Sequence, residues 1–124
     1  MIKAILFDLD GVLVDSYEYT IITFQRTLAH FNYKAPQRKD LEKLLGLTAY
    51  GILEILLPQS NEQQLSTAYE QFKIESDKAI PMIKLFNDVD TIIEKLSKKY
   101  TLGIVSNRRT YSVHNLLKHH NTSV

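Results

Sequence analysis

A short apolar run at the N-terminus, Ile2-Lys3-Ala4-Ile5-Leu6-Phe7, ends abruptly in Asp8-Leu9-Asp10-Gly11. No other feature of the chain limits its fold as much. A run of this kind bounded by turn residues reads as a strand buried on both faces. In open α/β sheets, ligands meet the carboxyl ends of such strands. Two carboxylates separated by one residue at that end repel each other and lose solvation. A fold keeps such a pair where a metal, a proton or a phosphoryl group is handled. A polar turn accounts for Asp10-Gly11 but leaves Asp8 unexplained.

The pattern that follows is helical. A first helix starts near Ser16, a capping residue, with Ile21, Phe24, Leu28 and Phe31 on one face. Asn32 to Gln37, containing Pro36, breaks it. A second helix carries Leu41, Leu44 and Leu45 and stops at Gly46. A third runs from Ala49 to Leu57 with Ile52, Ile55 and Leu56 inward, and Pro58 closes it. A fourth opens on a Ser60–Gln63 capping-box pair and carries the stripe Leu65, Tyr69, Phe72 and Ala79 up to Pro81. Residues 17–80 thus read as a helical insertion between 1–16 and 81–124.

After Pro81 the α/β pattern returns. Asn87 caps a helix bearing Ile92, Ile93 and Leu96, and Thr101 to Ser106 reads as a second strand. A last helix from Thr110 to Lys118 carries Tyr111, Val113, Leu116 and Leu117. A right-handed parallel crossover would set both strand tips side by side. Asp8 could then attack an electrophile while Asp10, pointing the same way in extended geometry, moves a proton. Gly11 permits the sharp turn, whose amides could meet an anion. Ser106 and Asn107, just before a helix, make a phosphate seat.

Composition narrows the function classes. Fifteen Lys+Arg against fourteen Asp+Glu leave no basic footprint for nucleic acid or an anionic membrane. The absence of cysteine excludes disulfide staples and thiolate metal sites. The N-terminal apolar run is too short for a signal peptide and no stretch reaches membrane-spanning length, so a soluble cytoplasmic protein is expected. His30, His114, His119 and His120 show no metal-ligand spacing, and His119 and His120, as helix neighbours, are expected to point apart. Tyr17, Tyr19, Tyr69 and Tyr111 read as core-edge packing. Asn121-Thr122-Ser123 matches a glycosylation sequon, without meaning in the absence of a secretory signal.

Phe7-Asp8-Leu9-Asp10-Gly11-Val12-Leu13-Val14-Asp15-Ser16 resembles the first motif of the haloacid dehalogenase-like superfamily, nearest its phosphoglycolate-phosphatase and beta-phosphoglucomutase-like members. Ile104-Val105-Ser106-Asn107 resembles the second motif, and Pro81 to Lys99 the segment leading into it. The resemblance implies an α/β fold: a partial, Rossmann-like parallel-sheet core (1–16 and 81–124) with an inserted α-helical cap (17–80) that closes over the site. It also implies a Mg²⁺-dependent phosphatase of a small phosphorylated metabolite. Asp8 would attack phosphorus and form an aspartyl-phosphate, and Asp10 would protonate the departing oxygen and then activate water. The Asp8 carboxylate and the Asp10 carbonyl would hold the metal. Ser106 and the Asn107 amide would hold the phosphoryl oxygens. Leu45-Gly46-Leu47-Thr48-Ala49-Tyr50 resembles the cap loop that meets substrate, with Gly46, Thr48 and Tyr50 as contacts. Arg108 is a further candidate for a substrate anion. Asp10 favours phosphoryl over carbon–halogen chemistry, which needs no protonated leaving group.

Two parts of that family pattern, a lysine and an acidic cluster completing the Mg²⁺ site, have no counterpart here. The C-terminal core strands are expected to be missing as well, from a fragment, a shortened gene product or one half of an assembly. Without two charge-stabilising groups, each worth about 10²–10³ in rate, the chain alone is expected to be weak or inactive. Unpaired strand edges offer a route to self-association. The alternatives are a catalytically silent remnant that binds a partner, and a phosphomutase.

Overall fold

The computed structural model describes residues 1–120; the sequon lies outside them. The chain divides into two compact units, one formed by Met1–Glu18 with the stretch from Ile80 on, the other by Tyr19–Ala79. Four strands, β1 (Ala4–Phe7), β2 (Val14–Asp15), β3 (Lys84–Leu85) and β4 (Thr101–Ile104), occur among the described residues. The helices are α1 (Tyr17–His30), α2 (Arg38–Glu42), α3 (Ala49–Leu56), α4 (Glu62–Ala79), α5 (Val89–Ser97) and α6 (Thr110–His119). None of them is long and apolar enough to cross a membrane.

In the first unit β1 and β4 pair in parallel, Ala4 opposite Thr101 through Phe7 opposite Ile104. The ladder runs one bond further, where the Val105 amide donates to the Phe7 carbonyl at 2.9 Å. Alternation along the strands puts Ile5, Phe7, Leu102 and Ile104 on a half-buried face. Ala4, Leu6, Thr101 and Val105 lie on the other, exposed one. The sequence suggests burial on both faces; the structure covers one, and Leu6 and Val105 keep 68% and 61% of their surface. Two strands cannot bury both sides of a sheet when helices shield only one. Leu6 lies across Gly103, where an added Cβ would come within 2.9 Å of its Cδ2. The unit's core is Leu9, Leu13, Val14, Ile80, Ile83, Val89, Ile93 and Leu116.

The β2–β3 pair is not evident in the sequence. It is antiparallel, Val14 opposite Leu85 and Asp15 opposite Lys84, and the Phe86 amide donates to the Leu13 carbonyl at 3.1 Å. It holds together the points where the chain leaves for the helical insertion and returns from it. Two-residue strands are too short to show an alternating pattern. α5 starts at Val89 with Asp88, not Asn87, in the cap position and in the left-handed region (φ 66°). Ile93 is buried there, whereas Ile92 and, on α6, Tyr111 are exposed. His120 follows the end of α6, and its ring meets that of His119 edge-on at 4.9 Å, so the two do not point apart.

In the second unit Ile21, Phe24 and Leu28 of α1 are buried with Leu41, Ile52, Leu53, Leu57, Leu65 and Ala68. Thr23 and Thr27 sit in the same buried stretch; their hydroxyls donate to carbonyls four residues back, Tyr19 at 2.6 Å and Thr23 at 2.7 Å. These bonds remove the penalty of burying the hydroxyls. The buried Tyr19 hydroxyl is hydrogen-bonded to Ser76, joining the start of α1 to the end of α4. α2 ends at Glu42, earlier than Gly46, and leaves Leu45 exposed. On α3 the inward pair is Ile52 and Leu53, with Ile55 half exposed.

The α4 capping box is one residue later than Ser60–Gln63. The Asn61 side chain accepts from the Gln64 amide at 2.8 Å, and the Gln64 side chain accepts from the Asn61 amide at 2.9 Å. The Ser60 amide already closes a turn onto the Leu57 carbonyl, which moves the cap along by one. Asn61→Ala is expected to destabilise the chain by about 1 kcal/mol, read as a lower urea midpoint; an unchanged midpoint would show that the box contributes nothing.

Candidate active site

The parallel pairing of β1 and β4 sets their carboxyl ends next to each other. An open depression there has a volume of about 250 Å³ and is lined by Leu6, Phe7, Asp8, Val105, Ser106 and Asn107. Asp8 is exposed, and its Oδ1 accepts from the neighbouring Leu9 amide at 2.7 Å. A carboxylate oriented by its own backbone yet open to solvent is in a suitable place to meet a ligand. Ser106 and Asn107 line the same depression from the tip of β4, more than ninety positions away in sequence.

Beyond Asp8 the chain closes a tight loop. The Val12, Leu13 and Val14 amides all donate to the Leu9 carbonyl, and the Gly11 amide donates to the Val14 carbonyl at 2.9 Å. Leu9 is fully buried beneath it. Gly11 takes φ +79°, a conformation that a side chain would oppose. The sequence suggests that amides of this turn bind an anion. In the structure the Gly11 N–H bonds within the loop. The Asp10 carbonyl stays outside that ring of bonds.

Asp10 does not line the depression. Its carboxylate is gripped by Arg108, with Nη2 at 2.5 Å from Oδ1 and Nε at 3.3 Å from Oδ2. Arg108 in turn donates through Nη1 to Ser112 Oγ at 3.1 Å, and through its backbone amide to Ser106 Oγ at 3.1 Å. Arg108, read from sequence as a candidate for a substrate anion, is thus engaged with Asp10. Ser112, buried in the first turn of α6, was not among the sequence-derived candidates. Its signal is spacing: an arginine just before a helix and a serine four positions on share one face.

The remaining candidates lie in the other unit. Gly46 turns the chain at φ +101°. Thr48 caps α3, its hydroxyl accepting from the Gly51 amide at 3.1 Å, and the Tyr50 ring meets Tyr69 edge-on at 5.8 Å. Each has structural work inside the insertion. Among the described residues no group of three or more His, Asp or Glu side chains is placed to hold a metal. One carboxylate and one backbone carbonyl nevertheless suit a hard cation that keeps waters and takes substrate oxygens, as Mg²⁺ does.

Comparison with known proteins adds to this geometry. The family model for haloacid dehalogenase-like hydrolases matches residues 5–123. The pyrophosphatase PpaX of Bacillus mycoides is 28% identical over 118 residues, covering 94% of this chain and 54% of that protein. A haloacid dehalogenase-like hydrolase from Streptococcus pneumoniae superposes with a TM-score of 0.80 at 27% identity, over 95% of this chain and 55% of that one. A predicted phosphoglycolate phosphatase from Haemophilus somnus gives a TM-score of 0.84 at 23% identity, over 98% and 60%, a likeness of fold. The chain spans about half the length of the curated relatives it matches.

Proposed function

The chain belongs to the haloacid dehalogenase-like hydrolase family, and from that premise we propose that it carries the nucleophile half of a Mg²⁺-dependent phosphatase for small phosphorylated metabolites. The supporting observation is Asp8, exposed at the tip of β1 in a depression shared with Ser106 and Asn107. In this reading an Asp8 oxygen attacks phosphorus in line, and the bond from phosphorus to the leaving oxygen breaks. That oxygen takes a proton from Asp10. Water then attacks the acyl-phosphate, Asp10 takes its proton, and phosphate departs with Asp8 restored. The Ser106 hydroxyl, accepting from the Arg108 amide, keeps its own proton to donate to a phosphoryl oxygen.

The Asp8 carboxylate and the Asp10 carbonyl would hold the metal, whose charge when bound offsets that of the phosphoryl group. The pyrophosphatase activity named for the similar curated proteins favours a small, strongly anionic substrate. The lysine and acidic cluster implied by the family pattern have no counterpart among these residues. Turnover by the 124 residues alone is therefore expected to be slow.

Slow breakdown makes the intermediate the best test. Acid quenching after incubation with an aryl phosphate and Mg²⁺ is expected to yield a chain heavier by one phosphoryl group, mapped by peptide mass spectrometry to Asp8. A modification elsewhere, or none while phosphate is being released, would refute the covalent route. Partner binding with neither adduct nor phosphate release would favour a silent binding module.

A further inference from the structure

Nε and Nη2 of the Arg108 fork take both oxygens of the Asp10 carboxylate. Asp10 is not among the residues lining the depression of Asp8 and Ser106. A carboxylate gripped on both oxygens accepts hydrogen bonds and has none to give. The fork is itself fixed. Its third arm donates to buried Ser112, its backbone amide donates to Ser106 Oγ, and its side chain is only 10% exposed. The Asp10 side chain, by contrast, is 36% exposed, and the bonds its carboxylate makes among the described residues go to Arg108. With its other side in water, the carboxylate can turn to another χ1 well once the fork lets go.

We infer that the Arg108–Asp10 pair is an autoinhibitory latch, which holds Asp10 outside the depression and must open before a leaving group can be protonated. The inference rests on the reading of Asp10 as the proton carrier of a phosphatase, and makes the arrangement described here its resting one. Bidentate geometry and the low exposure of Arg108 strengthen the pair, and the wet side of Asp10 weakens it. Such a pair favours the closed form over the open one by about 5- to 10-fold. Breaking it gains at most that factor, well inside the about 10²–10⁴-fold that a proton donor contributes. The gain falls on substrates whose leaving oxygen needs a proton. An alkoxide is too basic to depart alone, whereas p-nitrophenolate leaves as the anion.

Benzyl phosphate and p-nitrophenyl phosphate, alike in size and opposite in this respect, make the test. With the chain in excess and Mg²⁺ present, Arg108→Gln is expected to raise benzyl alcohol release by about 5- to 10-fold. Release of p-nitrophenol should change less than about twofold. Arg108→Lys, which keeps the charge but cannot hold both oxygens, should give a smaller rise and carries the test if Arg108→Gln does not fold. A fall or no change in benzyl alcohol release, or an equal rise on both substrates, would overturn the latch. The second readout needs no turnover. A crystal structure of whichever variant folds is expected to show the Asp10 carboxylate turned into the depression beside Asp8. Asp10 still outside the depression with the fork gone would overturn the inference as well. Asp8→Asn separates the two readings: parent-like release from it sinks the phosphatase, while the position of Asp10 still decides for or against the latch.

Discussion

Asp8→Asn is expected to reduce p-nitrophenol release from p-nitrophenyl phosphate by about 10³-fold, or to the uncatalysed background if that is reached first. Asparagine keeps the size of the side chain and can still accept the Leu9 amide bond found here at 2.7 Å. It cannot supply the anionic oxygen that displaces a leaving group. Because Asp8 is exposed, the far-ultraviolet spectrum and urea midpoint should match the parent. The measurement is best made with the chain in excess over substrate, so that a slow second step does not mask the first. Equal single-turnover rates for parent and variant would remove Asp8 from the reaction. A variant that loses both activity and structure would show Asp8 to be a folding residue.

Phe24→Ala is expected to destabilise the helical unit by about 3–5 kcal/mol. Phe24 is 1% exposed, and its ring centroid lies 4.8 Å from that of Phe72. Phe72 lies parallel to Tyr69 at 6.2 Å, and Tyr69 meets Tyr50. Truncation would open a cavity at one end of this run of rings, which the rigid aromatic neighbours cannot refill. Small domains are held by only about 5–15 kcal/mol in total, so the loss should appear as a markedly lower urea midpoint. Phe24→Leu, which keeps most of the volume, should cost less than about 1.5 kcal/mol. A loss below about 1 kcal/mol for the alanine variant would mean that the core does not depend on this ring.

Where a single strong signal fixes the structure, the sequence is legible. β1, β4, the long α1 and α4, and the meeting of the Asp8 and Ser106 ends follow from apolar runs, helical spacing and the handedness of parallel crossovers. Boundaries and faces set by competing local bonds are not. The α4 cap shifts from Ser60 to Asn61 because the Ser60 amide is already taken by Leu57. On α3, Leu53 goes inward and Ile55 outward, since several apolar residues on one helix can satisfy more than one inward stripe. The β2–β3 pair escapes because two-residue strands carry no pattern. In the site, residue types and spacing single out Asp8 and Ser106, which both line the depression. They cannot show which hydrogen bonds a turn makes, so Gly11 emerges as a turn former whose amide is occupied. Arg108 is visible as a basic residue near the seat. Its grip on Asp10, ninety-eight positions away, is a property of the folded chain alone.

The antiparallel pairing of Val14–Asp15 with Lys84–Leu85 makes the whole helical stretch exchangeable. Its two ends, after Asp15 and before Lys84, stand opposite each other at one rung of a short antiparallel ladder, so a tight turn, or another module altogether, could be grafted between them. An architecture of this kind lets the inserted stretch vary while the pairing of β1 with β4 is kept.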